Sequence, residues 1–160
     1  MKGVSMTKAF RPVDSLQMMA YIIGHCVEKD IALNVTKLQK LMYCCYGCVL
    51  ARFGARLTDE YPEAWQFGPV FPEALRSARF FSLDDFLGKA TPEVTALPAD
   101  VIALVNDAVD YFGQFKAAQL SDWSQRPNSP WARATHGGKF LYSRLEDSDI
   151  SSYFRRNVLA

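Results

Sequence analysis

The stretch Asn34–Gly54, NVTKLQKLMYCCYGCVLARFG, decides how the rest of the chain is arranged. Its apolar side chains recur at Val35, Leu38, Leu41, Met42, Cys45, Val49, Leu50 and Phe53, the i, i+3, i+4 rhythm of a helix with a buried face. Asn34 can cap its start by accepting a backbone N–H, and Gly54 can end it in the left-handed conformation. The helix is then roughly 28 Å long at about 1.5 Å per residue, enough to cross a small domain. On this periodicity Lys37, Lys40 and Tyr43 share a face opposite Leu38 and Met42, turned outward to solvent or to a partner.

The passage that follows is built differently. Gly68-Pro69 and Phe71-Pro72 interrupt any continuous helical ladder and push Gly68 and Phe71 towards extended geometry. A short strand or hairpin near residues 57–70 is therefore expected, bent against the central helix. Pro72, whose missing N–H is one of the orphan donors of a helix start, opens a helix through Arg79 with Phe80 and Phe81 as an apolar cap.

Upstream, Asp14 or Ser15 caps a helix through about Lys29, joined to the central one by a brief connector that makes the two neighbours. Downstream, Ser82 and Asp85 bracket a single turn, and the residues from Gly88 to Leu97 read as connector. A second core helix begins at Pro98 and stops at Gly113, with Val101, Leu104, Val105, Ala108, Val109 and Phe112 as its stripe. Gln114–Gln125 reads as a short helix and Ser129-Pro130 opens one more turn before His136-Gly137-Gly138. Asp147 to Arg156 carries acid at its start and Arg155, Arg156 at its end, matching a helix dipole. The fold class is mainly α: one compact helical domain, residues 14–160, around a central amphipathic helix, after a flexible segment 1–13.

Composition excludes more than it assigns. At 160 residues the chain can bury about 70% of its unfolded surface without a metal or disulfide. Eighteen basic against seventeen acidic residues leave a net charge of +1, which gives no electrostatic argument for nucleic acid or an anionic membrane. The N-terminal residues hold no apolar signal core, and no apolar run approaches the ~20 residues of a bilayer span, so a cytoplasmic protein is expected.

Catalytic patterns are sparse. The chain has no Gly-rich phosphate loop, no G-x-S-x-G, no H-E-x-x-H and no second Cys-x-x-C, so no catalytic residue and no cofactor is assigned. Cys26, Cys44, Cys45 and Cys48 lie in or beside periodic helices and read as reduced, packed thiols. A redox pair at Cys45 and Cys48 would want its first thiol at a helix N-terminus rather than mid-helix. A zinc site from His25, Cys26, Cys45 and Cys48 lacks a second close ligand pair, so no metal site is assigned. Aromatic density remains to be explained: Trp65, Phe67, Phe71, Phe80, Phe81, Trp123 and Trp131 flank the central helix. Most should fill a core of short helices, while an exposed edge at Phe67, Phe71 or a tryptophan would serve as an anchor for another protein.

The order of these features resembles the Panacea-domain family of phage-associated proteins and SocA-like antitoxins. The likeness runs through LNVTKLQKLMY, EAWQFGPVFP, LSDWSQRPNSPW and a closing SSYF. Leu38, Gln39, Lys40, Leu41 and Tyr43 match the family's helix motif, and Glu63, Ala64, Trp65, Gly68, Pro69, Val70 and Pro72 its turn motif. Leu120, Ser121, Pro130 and Trp131 match the third, where the family's Thr-His is replaced near Ser124-Gln125. The resemblance implies an antitoxin, not an enzyme, that neutralises a cognate toxin by direct binding. The alternatives are a proteolytic adaptor handing the toxin to an AAA+ protease unfoldase and, behind it, a cysteine- or metal-dependent hydrolase. The expected partner-binding surface comprises Lys40, Tyr43, Trp65, Phe67, Gly68, Pro69, Val70 and Phe71.

Overall fold

The computed structural model describes residues 9–159. Among them, eight α-helices and one antiparallel hairpin form the fold. These are α1 (Ser15–Glu28), α2 (Val35–Phe53), β1 (Glu63–Trp65), β2 (Gly68–Val70), α3 (Pro72–Phe80), α4 (Pro92–Thr95), α5 (Ala99–Phe112), α6 (Ala117–Ser124), α7 (Pro130–Thr135) and α8 (Asp147–Asn157). A 3-10 turn at Leu83–Phe86 follows α3. The mainly helical reading with a short hairpin holds. The expected flexible segment 1–13 lies outside the described residues up to position 8. Val13, at its end, is 2% exposed and pairs with the chain at Leu57 and Asp59.

Local chemistry sets the helix ends where the residue types anticipate them. Asp14 accepts from the backbone N–H of Leu16 and Gln17, and Asn34 accepts from that of Lys37, each satisfying orphan donors of a first turn. Gly54 closes α2 in the left-handed conformation. Two expectations are corrected. Residues 88–97 are not plain connector: Pro92 starts a helical turn there, and its Val94 is buried. Phe80 and Phe81 do not cap α3 against the body, being 81% and 51% exposed.

The larger correction concerns α2. Every residue from Lys37 to Ala51 is buried, so between its two ends this helix has no solvated face. α5 and α8 pack most extensively on it, with α6, α1, β2 and α3 completing the sheath. Lys37, Lys40 and Tyr43 are thus enclosed rather than displayed. Periodicity misled because it assumes a helix at the rim of a core, whereas this one is the axis around which the core is built.

α8 reaches that axis through Gly47. The Phe154 ring, 0% exposed, rests directly on α2: a Cβ at position 47 would lie 2.4 Å from it. Tyr43 meets the same ring edge-on at 5.4 Å, and the Tyr46 hydroxyl donates to Asp147 Oδ1 at 2.6 Å, fixing the start of α8. Gly47→Ala is expected to lower stability by about 1–3 kcal/mol through this collision. Gly24→Ala, with nothing within 4 Å of the added carbon in the middle of α1, should raise it by about 0.5–1 kcal/mol. Urea unfolding of both variants checks the opposite signs.

Candidate partner-binding groove

Because α2 is enclosed, each of its long polar side chains must find a partner inside the protein. Lys37 Nζ donates to Gly113 O at 2.6 Å, closing the end of α5. Gln39 Oε1 accepts from Phe71 N at 2.8 Å, and Lys40 Nζ donates to Pro69 O at 3.2 Å. Two adjacent residues of the helix therefore hold the hairpin's second strand and the turn into α3.

The hairpin itself pairs Glu63 with Val70 and Trp65 with Gly68. Its outer edge is covered by residues 142–145: Tyr142 N donates to Ala64 O at 2.7 Å, and Ala64 N to Ser143 O at 2.8 Å. The other side is closed by α6 and α7. Gln125 Nε2 donates to Gln66 O at 2.8 Å, and the Trp131 indole N–H donates to Trp65 O at 2.7 Å. The three motifs that are far apart in sequence thus converge on one hairpin. Gly68 sits at the convergence with φ +114°, where a Cβ would come within 2.5 Å of Ser124 Oγ and 2.8 Å of Lys40 Cε. Only glycine tolerates both the backbone angle and the contact.

A groove of about 270 Å³ opens between this hairpin, the first turn of α2 and α3. Gln39 and Lys40 lie along it, Arg79 is at its α3 side, and Trp65, Phe67 and Tyr142 supply aromatic walls. Phe67 is 64% and Tyr142 62% exposed, while Trp65 is half-buried and meets Tyr142 edge-on at 5.4 Å. Tyr142 stands at φ +76°, a left-handed conformation that a bulky side chain adopts only when its surroundings impose it.

Of the eight residues expected to form the partner surface, Lys40, Trp65, Phe67 and Val70 line this groove, while Gly68, Pro69 and Phe71 stand beside them in β2 and the turn into α3. Phe67 is open and Trp65 half-open. Lys40, Gly68, Pro69, Val70 and Phe71 are buried and shape the ledge from behind. Tyr43 is 1% exposed and packs beneath, against Phe154. Sequence reasoning missed Tyr142 and Arg79. The signal for Tyr142 was present in the loop KFLYS, where aromatic residues flank Leu141 after a Gly-Gly turn.

The groove's charge is unusual. Lys40 is 2% exposed, and neither ion pair among the described residues, His25–Asp110 or Arg133–Asp149, includes it. Burial lowers its ammonium from 10.5 to about 8. Gln39 is wholly buried and its Nε2 has no hydrogen-bond partner. The four thiols offer no comparable chemistry. All are buried, with burial pushing Cys26 up to about 11, Cys48 up to about 12, and Cys44 and Cys45 well above the usual thiol range. A thiol held protonated is a poor nucleophile and a poor ligand. No group of three His, Cys, Asp or Glu side chains suited to a metal exists among the described residues, and His25 Nε2 faces Asp110 Oδ1 at 2.7 Å.

Two measurements check these contacts. Trp131→Phe keeps an aromatic ring, though a smaller one, and removes the donor to Trp65 O; it should cost at least about 1–2 kcal/mol in urea unfolding. For Lys40, the unfolded chain keeps its proton up to about pH 10.5 and the folded one releases it above about 8. Between these values the unfolded state binds more protons, so stability rises with pH across that window. Measured against Lys40→Met at each pH, wild-type stability should improve by about 1–3 kcal/mol between pH 7 and 10.

With this geometry in place, comparison with known proteins becomes informative. The family described as "Antitoxin SocA-like, Panacea domain" matches residues 38–132, from the helix motif to the Pro-Trp of α7. The protein named Antitoxin SocA of Caulobacter vibrioides is 32% identical over 163 residues, covering 94% of this chain and 87% of that relative. No solved structure matches the chain. From the motif helix through the hairpin it grips to the tryptophan that closes it, the chain belongs to the SocA-like antitoxin family defined by the Panacea domain.

Proposed function

We propose that the protein neutralises a cognate toxin by binding it directly, using the groove beside the hairpin, and that it does so in the cytoplasm without catalysis. Family membership supports the antitoxin role. The observation that carries the surface is the pair Phe67 and Tyr142, two exposed aromatic residues lining a groove that buried Gln39 and Lys40 also line. Binding energy concentrates in such rigid aromatic anchors, which cost little side-chain entropy to immobilise. In this reading Phe67 and the edge of Trp65 touch the toxin together with Tyr142. Lys40, Gly68, Pro69, Val70 and Phe71 set the shape of the ledge, and Tyr43 supports it from within.

No helix of the described residues is long and apolar enough to cross a membrane, which agrees with a partner met in solution. The thiols, buried and held protonated, favour binding over a cysteine-dependent reaction.

The test is co-expression with the product of the neighbouring reading frame. Growth arrest by that product alone should be relieved by the wild-type protein. Phe67→Asp and Tyr142→Asp should each weaken the complex roughly tenfold or more in titration calorimetry, with melting temperature retained because both side chains are exposed. Undiminished rescue and affinity in the double variant would overturn the assignment of the surface. A toxin half-life that shortens only when an AAA+ protease is present would identify delivery for degradation instead of plain neutralisation.

A further inference from the structure

The groove holds two polar groups whose bonding is incomplete, and they are adjacent in sequence. Gln39 uses Oε1 to accept the Phe71 N–H, and this settles the orientation of its amide, since only the oxygen can accept from a backbone donor. Nε2 is left as the one buried side-chain nitrogen or oxygen without a partner among the described residues. Lys40 beside it is a buried cation answered only by a neutral carbonyl, Pro69 O, which occupies one of three ammonium donors. A buried charge is ordinarily met by an opposite charge, and a buried donor by an acceptor.

The surroundings offer no opposite charge, and no oxygen among them bonds Gln39 Nε2. The groove is lined by Lys40 and Arg79 and by no aspartate or glutamate. On the hairpin, Glu63 lies outside the groove lining, and its Oε1 accepts from the Trp65 indole N–H at 3.0 Å. In a chain with a net charge of only +1, this is a local concentration of unanswered donors in a concave, aromatic-walled space. At about 270 Å³ the space is below the usual range for a cofactor and suits one side chain of a docked segment.

We propose that the groove is an acid-anchor site: it receives the carboxylate of one aspartate or glutamate side chain on the partner polypeptide, bound by Gln39 Nε2–H and the Lys40 ammonium, with the flanking chain lying across Phe67 and Tyr142. This rests on the groove being the docking surface. It adds what that surface recognises. The carboxylate supplies acceptors to the orphaned amide and a counter-charge to the cation, and Arg79 at the exposed mouth draws acid towards it. Phe67 and Tyr142 then shield the pair from water, which strengthens it.

The chemistry can be read without the toxin. Nuclear magnetic resonance spectra of isotope-labelled protein would be followed during titration with N-acetyl-glutamate N-methylamide and, separately, its glutamine counterpart. The acid should give saturable shifts at the Gln39 side-chain amide and the Phe71 and Gly68 backbone amides, with the neutral probe on the order of tenfold weaker or more. Arg79→Glu, an exposed change that leaves the hairpin contacts intact, should weaken the acid selectively. Equal response to the two probes, as a site filled by a single water would give, or saturation unaltered in both Arg79→Glu and Lys40→Met, would overturn the proposal. With the toxin in hand, one Asp→Asn or Glu→Gln change on its surface should account for at least a tenfold loss of affinity. Tight binding that no single acid controls would sink the acid anchor and leave direct neutralisation standing. Failure to bind toxin at all, with the glutamate probe still saturating, would remove the proposed function and support the site's chemistry.

Discussion

Everything in this fold depends on α2 being buried from Lys37 to Ala51 by the elements packed around it. A helix at the edge of a core can leave its polar residues in water, but here Lys37, Gln39 and Lys40 have no water to turn to. The two ammonium groups and the Gln39 carbonyl oxygen are met by backbone from other elements: Gly113 at the close of α5, Pro69 in β2, Phe71 before α3. The cost of burying these groups is thereby turned into positional information. Two stretches of chain remote from each other in sequence, 69–71 and 113, are pinned to one helical segment.

The hairpin shows what that pinning achieves. Two strands of three residues are too short to be stable alone. They persist because α2 holds them from behind, residues 142–145 from one edge, and the Trp131 indole with Gln125 from the other. Gly68 is where α2 and α6 meet the hairpin, and its missing side chain lets Lys40 and Ser124 approach. The surface that results is rigid at its base and aromatic at its rim. Such a ledge can engage another protein with little ordering cost on its own side.

The cysteines illustrate the opposite outcome. Their spacing along α2 suggested a redox or metal reading, yet the same enclosure that gives Gln39 and Lys40 unanswered valences makes Cys44, Cys45 and Cys48 ordinary packing groups. Cys45 Sγ does no more than approach Val105 O at 3.7 Å. Burial raises a thiol's pKa and lowers an ammonium's, so one environment silences the former and leaves the latter seeking a counter-ion.

The sequence alone determined the helix boundaries at Asp14, Asn34, Gly54, Pro72 and Ser129, because capping and proline effects act within a few residues of chain. It also located the hairpin, through Gly68-Pro69 and Phe71-Pro72, and placed the ledge beside α2 through motifs read together. Only the tertiary structure decided which way α2 faces. Helical periodicity orders residues around an axis but does not say how many elements will pack on it, so Lys40 and Tyr43 read as surface when they are interior. The place of Tyr142 and Arg79 at the groove was not legible for a related reason, although the aromatic loop that carries Tyr142 was visible in the sequence. Their place at the groove depends on how separate elements are brought together, Arg79 on α3 beside the hairpin and Tyr142 through its bond to Ala64 from a segment far along the chain.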